Sequence, residues 1–362
     1  MAYLWYNQGN IMSKTRQQKL KAIDLFAGIG GMRMGFEKAG FDIVYSNDFD
    51  KNACKTYREN FGEIDERDIK DIDPDKIPDF DVLLGGFPCQ PFSMIGKRKG
   101  MDDERAKSFF HIIRILNAKQ PSAFVLENVK HLRLYDKGRV YERIKNNLEW
   151  AGYTVQEAVL DSKRFGVPQH RERLYIVGFL NPNVKFKFPK PRRELIPLST
   201  ILEKNIGENY YLSEKYYTGL LKHKKRHAKG GNGFGCAILN TDGVSNTLVA
   251  GNMGRERNLI QDIPVKKNKW GIRKLTVKEC ARLQGFPERY KFPVSITRSY
   301  QQLGNAVTVN VANTVAKKVK EALLKTLSPK TLPSTNSAFS QLTSCQLQEA
   351  ATAHNSFISR NI

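Results

Sequence analysis

The chain lacks the marks of several large protein classes. It has only five cysteines, Cys54, Cys89, Cys236, Cys280 and Cys345, at irregular spacing. With no CxxC pair and no histidine cluster beside them, neither a disulfide framework nor a metal site is expected, and a reducing compartment fits best. No apolar run approaches the ~20 residues of a membrane-spanning helix, and no strongly amphipathic basic helix stands out. The N-terminus lacks the apolar core of a signal peptide, so a cytoplasmic protein without membrane contact is expected. Acidic residues are scarce beside basic ones, 36 against 59, which leaves a formal charge of +23. That excess exceeds what solubility requires and has the sign that attracts phosphate backbones, so nucleic acid is the first partner to consider.

What is present suits an enzyme-sized core. With 362 residues, 40% of them hydrophobic, the chain can build one large or two modest domains. From Ala22 a short apolar strand (22–26) leads through a glycine turn to a helical run (32–39) and a second strand (43–46). Further strands are expected at 81–84, 123–126 and 174–179, with helical stretches such as 108–118 between them. This alternation predicts an α/β fold with a doubly wound, mostly parallel sheet. After Asn181-Pro182 comes a stiff basic connector, and residues 182–262 then carry fourteen Lys/Arg against seven Asp/Glu, with glycine-rich turns. That segment reads as loops presented to a polyanion. Residues 1–20 read as a flexible leader, with Met12 as an alternative start. Residues 326–362, rich in Ser, Thr, Gln and Ala, read as a disordered tail.

Two groups of residues carry chemistry. In the first, Asp24-Leu25-Phe26-Ala27-Gly28-Ile29-Gly30-Gly31 ends a strand and opens a helix, where glycines let a ligand approach the backbone. The glycines alone serve a tight turn equally well. Asp48 closing the second strand tips the balance, since a carboxylate there can accept from both hydroxyls of a ribose. Phe49 is placed to stack on an adenine, and Asp68-Ile69, expected at the end of a third strand, would reach the adenine edge. Together these imply an adenosine-containing cofactor.

In the second group, Gly85-Gly86-Phe87-Pro88-Cys89-Gln90-Pro91-Phe92-Ser93 follows a strand directly, so Cys89 sits at the carboxyl edge of the sheet. A lone cysteine is more often a packing residue than a nucleophile. Its neighbours change the weighing: Leu126-Glu127-Asn128 ends the next strand, and Gln169-His170-Arg171-Glu172-Arg173 opens another. A thiol, a carboxyl and two guanidinium groups make one catalytic constellation, although the charged run on its own would read as a solvated face.

The runs FAGIGG at 26, GGFPCQPFS at 85, LENVK at 126, QHRERLYIVGF at 169, RKLTVKECARLQGFP at 273 and QLGNAV at 302 resemble the ordered motif set of bacterial cytosine-5 DNA methyltransferases. The resemblance covers about Lys21 to Leu324, and six motifs in order are far more specific than any one. It implies methyl transfer from S-adenosyl-L-methionine to carbon 5 of a flipped cytosine, in a short sequence of double-stranded DNA. It also implies Cys89 as nucleophile, with Glu127, Arg171 and Arg173 at the base. Phe26, Gly28, Gly30, Gly31, Asp48, Phe49, Asp68, Ile69 and Asn305 correspond to the family's cofactor contacts. The family's pattern further implies a catalytic domain at 21–181 completed by 296–325, and a target-recognition domain at 182–295. Within the latter, Asn232 resembles a residue that fills the hole left by the flipped base, and Thr247 belongs to a threonine-leucine pair. Arg255 and Arg257 are candidate guanine readers, with phosphate contact as the alternative role. A monomer, and a separate restriction endonuclease of the same specificity, are expected. An RNA-directed relative and an inactive DNA-binding relative stay open, as does a small-molecule enzyme of α/β type.

Overall fold

The computed structural model describes residues 19–88, 107–231, 235–251, 256–262 and 270–327. The leader, Cys89, Asn232, Arg255 and the tail from 328 lie outside the described residues.

A six-stranded sheet in the order β2-β1-β3-β4-β6-β5 organises the chain. Its strands are β1 (Lys21–Leu25), β2 (Asp42–Asn47), β3 (Val82–Gly85), β4 (Ala123–Val129), β5 (Thr154–Asp161) and β6 (Glu172–Phe179). The pairs β1–β2, β1–β3 and β3–β4 are parallel, and β6 lies antiparallel between β4 and β5. Five strands therefore point one way and β6 alone is reversed. This reversal brings the start of β6 to the edge where β1 to β4 end, and so delivers Arg173 beside Glu127.

Side-chain alternation divides the core. Ala22, Val82, Leu84, Ala123, Val125, Tyr175 and Val177 face one side, against helices α1 (Gly31–Lys38) and α8 (Val309–Leu327). Ile23, Leu25, Leu83, Phe124, Leu126, Leu174 and Ile176 face the other, under α3 (Lys107–Lys119) and α4 (Arg139–Trp150). Strands apolar on both faces require such a double cover. A third core gathers Leu198, Leu248, Ile260, Leu275, Leu283 and Phe286 against Leu303 and Val309. Around it lie a two-stranded ribbon, β7 (Leu259–Gln261) and β8 (Ile272–Lys274), and helices α6 (Val277–Leu283) and α7 (Ile296–Asn305). Thr276 and Glu279 cap α6 reciprocally. The described residues up to Leu323 form one compact unit; of a second, only the end of α8 is described. Among the described residues no helix is long and apolar enough to cross a membrane.

Three features differ from the sequence expectation. The third strand ending at Asp68-Ile69 does not form. After α2 (Lys51–Phe61) a single bridge, Asn47 to Asp65, stands in its place, and Asp68 caps a short turn over Ile69–Asp71. Residues 63–76 are too densely charged to supply a strand's buried face. Strand β5, unforeseen, is half-buried along most of its length. The basic segment also contains a regular helix, α5 (Glu214–Lys229), where loops were expected.

Candidate active site

The cofactor-side residues are held by backbone geometry. Leaving β1, the chain takes left-handed conformations at Phe26 (φ 55°), Gly28 (φ 55°) and Gly30 (φ 77°). For Phe26 this conformation is costly and persists only because neighbours fix it. Ala27 N–H donates to the Asn47 carbonyl at 3.0 Å, and Gly28 N–H donates to Asp48 Oδ2 at 2.8 Å. Asp48 Oδ1 accepts from Asp50 N–H at 2.8 Å, so one carboxylate ties the glycine turn to the end of β2. Burial lifts the Asp48 acid above its ordinary value, against the pull of those two amides. Phe49 beside it is 63% exposed, with its ring open to solvent. Ile69 is buried, and Asp68 accepts from Lys70 N–H at 3.1 Å.

The three glycines are not equivalent. A side chain on Gly30 would enter the Phe61 ring, and one on Gly31 would strike the Val307 carbonyl. Both positions are therefore demanded by packing. A Cβ on Gly28 would meet nothing within 4 Å, which leaves open space at the backbone where a ligand can approach. Just behind the turn lies Asp24, fully buried. Its Oδ2 accepts from Arg33 N–H at 3.1 Å, while Oδ1 has no hydrogen-bond partner. Burial pushes its acid up to about 7. An open glycine face, an unpaired buried oxygen, a strand-end carboxylate and an exposed ring together fit an adenosine-bearing cation such as S-adenosylmethionine. Asn305 ends α7 and is exposed.

On the base side, β4 and β6 pair so that Val129 lies opposite Arg173 and Glu127 opposite Tyr175. Two residues along an antiparallel pair is a reachable diagonal, and Arg173 Nε stands 3.2 Å from Glu127 Oε1. Burial raises the Glu127 acid, while Arg173 and then Arg171 pull it down. Asn128 Nδ2 donates to the Phe87 carbonyl at 2.9 Å, pinning the start of the loop that carries Cys89. Gly86, just before it, lies close to the carboxyl, since a Cβ there would sit 3.8 Å from Glu127 Oε2.

Arg171 stands apart from this pair. It is 1% exposed and donates through Nη1 to the Leu248 carbonyl at 2.7 Å. Its Nη2 donates to the carbonyls of Gly304 at 3.0 Å and Ala306 at 2.8 Å. Burial, reinforced by Arg173, brings its guanidinium down to about 9, which still leaves it charged at neutral pH. It thus clamps three segments together. Gln169, which sequence reasoning quoted within its run but gave no role, completes the clamp. Its Oε1 accepts from Leu248 N–H at 2.9 Å and its Nε2 donates to the Leu283 carbonyl at 2.9 Å. Thr247 Oγ1 donates to the His170 carbonyl at 2.7 Å, so the threonine-leucine pair docks on the entry to β6. Arg257 is exposed, and Asn246 holds its carbonyl at 2.8 Å. Cys54, Cys236 and Cys280 are buried, and burial pushes the Cys54 thiol up to about 12, the opposite of a nucleophile's environment.

The profile of the C-5 cytosine-specific DNA methylases matches residues 20–321. The type II methyltransferase M.HpaII of Haemophilus parainfluenzae is 45% identical over 328 residues, 85% of this chain and 91% of that protein. The type II methyltransferase M.NlaX of Neisseria lactamica is 45% identical over 307 residues, 84% of this chain and 97% of that protein. Among solved structures, the Entamoeba histolytica methyltransferase EhMeth superposes with a TM-score of 0.70 at 23% identity, covering 86% of this chain and all of that one. Dnmt2 of S. pombe gives 0.68 at 22%, covering 84% and 99%. At those identities the two structures speak for the fold.

Proposed function

Because the chain belongs to the C-5 cytosine-specific DNA methylases, and so transfers a methyl group from S-adenosylmethionine to carbon 5 of cytosine in DNA, we propose that it does so through Cys89 at a base flipped from a short specific duplex sequence. The observation that supports the assignment of roles is the Arg173–Glu127 pair beside Gly86, three residues before Cys89 in the sequence.

Carbon 5 of cytosine is a weak nucleophile. The Cys89 thiolate adds to carbon 6, which pushes the ring electrons toward carbon 5. Glu127, whose acid is raised above its ordinary value by burial, places a proton at the ring nitrogen and stabilises the charge that develops there. Arg173 holds the Glu127 carboxyl in place, and its charge favours the thiolate. S-adenosylmethionine, when bound, supplies an electrophilic methyl on a sulfonium. Once carbon 5 carries the methyl, loss of its proton to water and return of the ring-nitrogen proton to Glu127 re-form the 5,6 double bond and expel the Cys89 sulfur as thiolate. Phe26, Gly28, Asp48, Phe49, Asp68, Ile69 and Asn305 hold the cofactor, while Gly30 and Gly31 bring the turn close to it. Residues 21–181 with 296–325 form the catalytic part, and 182–295 read the sequence through Asn232, Thr247, Arg255 and Arg257. A base inside a duplex is unreachable, so extrusion costs a few kcal/mol before chemistry begins. A monomer acting in the cytoplasm, with a separate endonuclease of the same specificity, suits this reading.

Bisulfite sequencing of plasmid from cells expressing the wild type or Cys89→Ala tests it. Protection of cytosines in one short context by the wild type alone is expected. Equal protection by the variant would remove Cys89 as nucleophile, and no protection from folded wild type would redirect the search to RNA.

A further inference from the structure

Helix α5 is an unusual element for a folded protein. Over sixteen residues, Glu214–Lys229, it has no buried side chain. Only a thin stripe is half-covered, where Tyr217 and Leu220 lie on the small core of Leu212, Cys236, Leu259 and Ile272. Its last two turns carry Lys222, Lys225, Arg226 and Lys229, all exposed. These positions follow i, i+3, i+4, i+7 and so form one stripe roughly 10 Å long.

The stripe works against the helix that bears it. Lys222 with Arg226 and Lys225 with Lys229 are like charges four apart, and Lys222 with Lys225 and Arg226 with Lys229 are like charges three apart. Each such pair destabilises a helix by about 0.2–0.5 kcal/mol. Two cations in the last turn would satisfy the helix dipole. Among the described residues none of the four forms an ion pair with a carboxylate, and the one acid on the helix, Glu214, lies in its first turn. Four mutually repelling, unneutralised cations on one face call for a polyanion opposite.

The ends of α5 indicate which polyanion. Near the start, Tyr216 Oη donates to Glu256 Oε1 at 2.9 Å, beside the candidate base reader Arg257. At the other end, Lys229-Gly230-Gly231 runs directly into Asn232. The helix therefore runs from beside Arg257 to within three residues of Asn232 in the sequence. We infer that the Lys222–Lys225–Arg226–Lys229 face of α5 lies along the phosphate backbone of the duplex, supplying affinity without reading sequence. This rests on the functional reading above.

The test is the salt dependence of binding to a duplex containing the methylated sequence, for the wild type, Lys225→Gln/Arg226→Gln, and the four-site glutamine variant. Glutamine keeps helix propensity while removing charge. Each phosphate contact contributes about 0.9 to the slope of log affinity against log salt. Loss of two to four contacts flattens the slope by about 2 to 4. Between 50 and 200 mM salt the wild type should then lose about 12- to 150-fold more affinity than the four-site variant, with the two-site variant between them. An unchanged slope from folded variants would overturn the proposal, as would a flattening seen with structured RNA and not with duplex. Wild type that forms no 5-methylcytosine in any DNA would instead overturn the functional reading, a result read separately from the slope.

Discussion

Replacing Arg171 distinguishes a clamp from a base-binding group. Its guanidinium is 1% exposed and donates to three backbone carbonyls, those of Leu248, Gly304 and Ala306. Arg171→Met keeps an unbranched apolar side chain but removes every donor. The Ala306 carbonyl keeps Gln284 Nε2 at 3.4 Å, so two carbonyls are left unpaired at about 1–3 kcal/mol each, a gross loss of about 2–6. Against this, the wild type carries the expense of burying a charge, visible in the fall of its guanidinium to about 9. The net destabilisation should lie within that range, at about 3–5 kcal/mol. At about 2 °C per kcal/mol for a chain of this size, the melting temperature should fall by roughly 6–10 °C. Differential scanning calorimetry reads this directly, and Arg171→Lys, which keeps the charge but loses the fork, should fall between the two. A variant that melts within 2 °C of wild type yet has lost turnover would refute the clamp and return Arg171 to the base.

Three other outcomes follow from the site. Asp24 holds its proton up to about pH 7 when folded, far above an unfolded aspartate. Its contribution to stability is therefore complete below about pH 4 and lost as pH rises through 7, up to about 4 kcal/mol in all. Denaturant titrations across that range should show a decline that Asp24→Asn removes; an identical slope in both proteins would exclude Asp24 as its source. Arg173→Gln takes away the strongest pull lowering the Glu127 acid, so the alkaline limb of kcat should move to higher pH while the maximum drops. A limb that stays put would mean Glu127 does not act in its protonated form. Gly31→Ala, which drives a methyl into the Val307 carbonyl, should unfold the turn and lower the melting temperature sharply. Gly28→Ala faces open space at φ 55°, so it should cost about 1–2 kcal/mol of strain and act mainly on S-adenosylmethionine affinity measured by calorimetry. The reverse ranking would show that Gly28 is the packing glycine.

The parts of the fold legible in the sequence were those set by local pattern. The strand expected at 22–26 is β1 at Lys21–Leu25, and the run 123–126 is the apolar half of β4. In both, apolar residues face both ways because helices cover both faces, a pattern that needs no tertiary knowledge to read. Strand β5 was hidden for the converse reason. Its residues Val155 to Val159 are half-buried at the sheet edge, and an edge strand carries little of the apolar signal. The strand expected before Asp68 does not form because residues 63–76 carry too many charges for a buried face, whatever their place in a βαβ order. Arg171 shows where sequence reasoning must stop. Arg171 and Arg173 are two apart at the entry to a strand, so spacing alone makes them a pair with one task. The structure separates them, since the acceptors of Arg171 come from segments 77 to 135 residues away, while Arg173 finds Glu127 across the local ladder. Gln169 and Arg171 then hold the N–H and the carbonyl of the same residue, Leu248. Any shift of the Thr247-Leu248 segment on DNA must therefore move the entry to β6, and with it the guanidinium that positions Glu127.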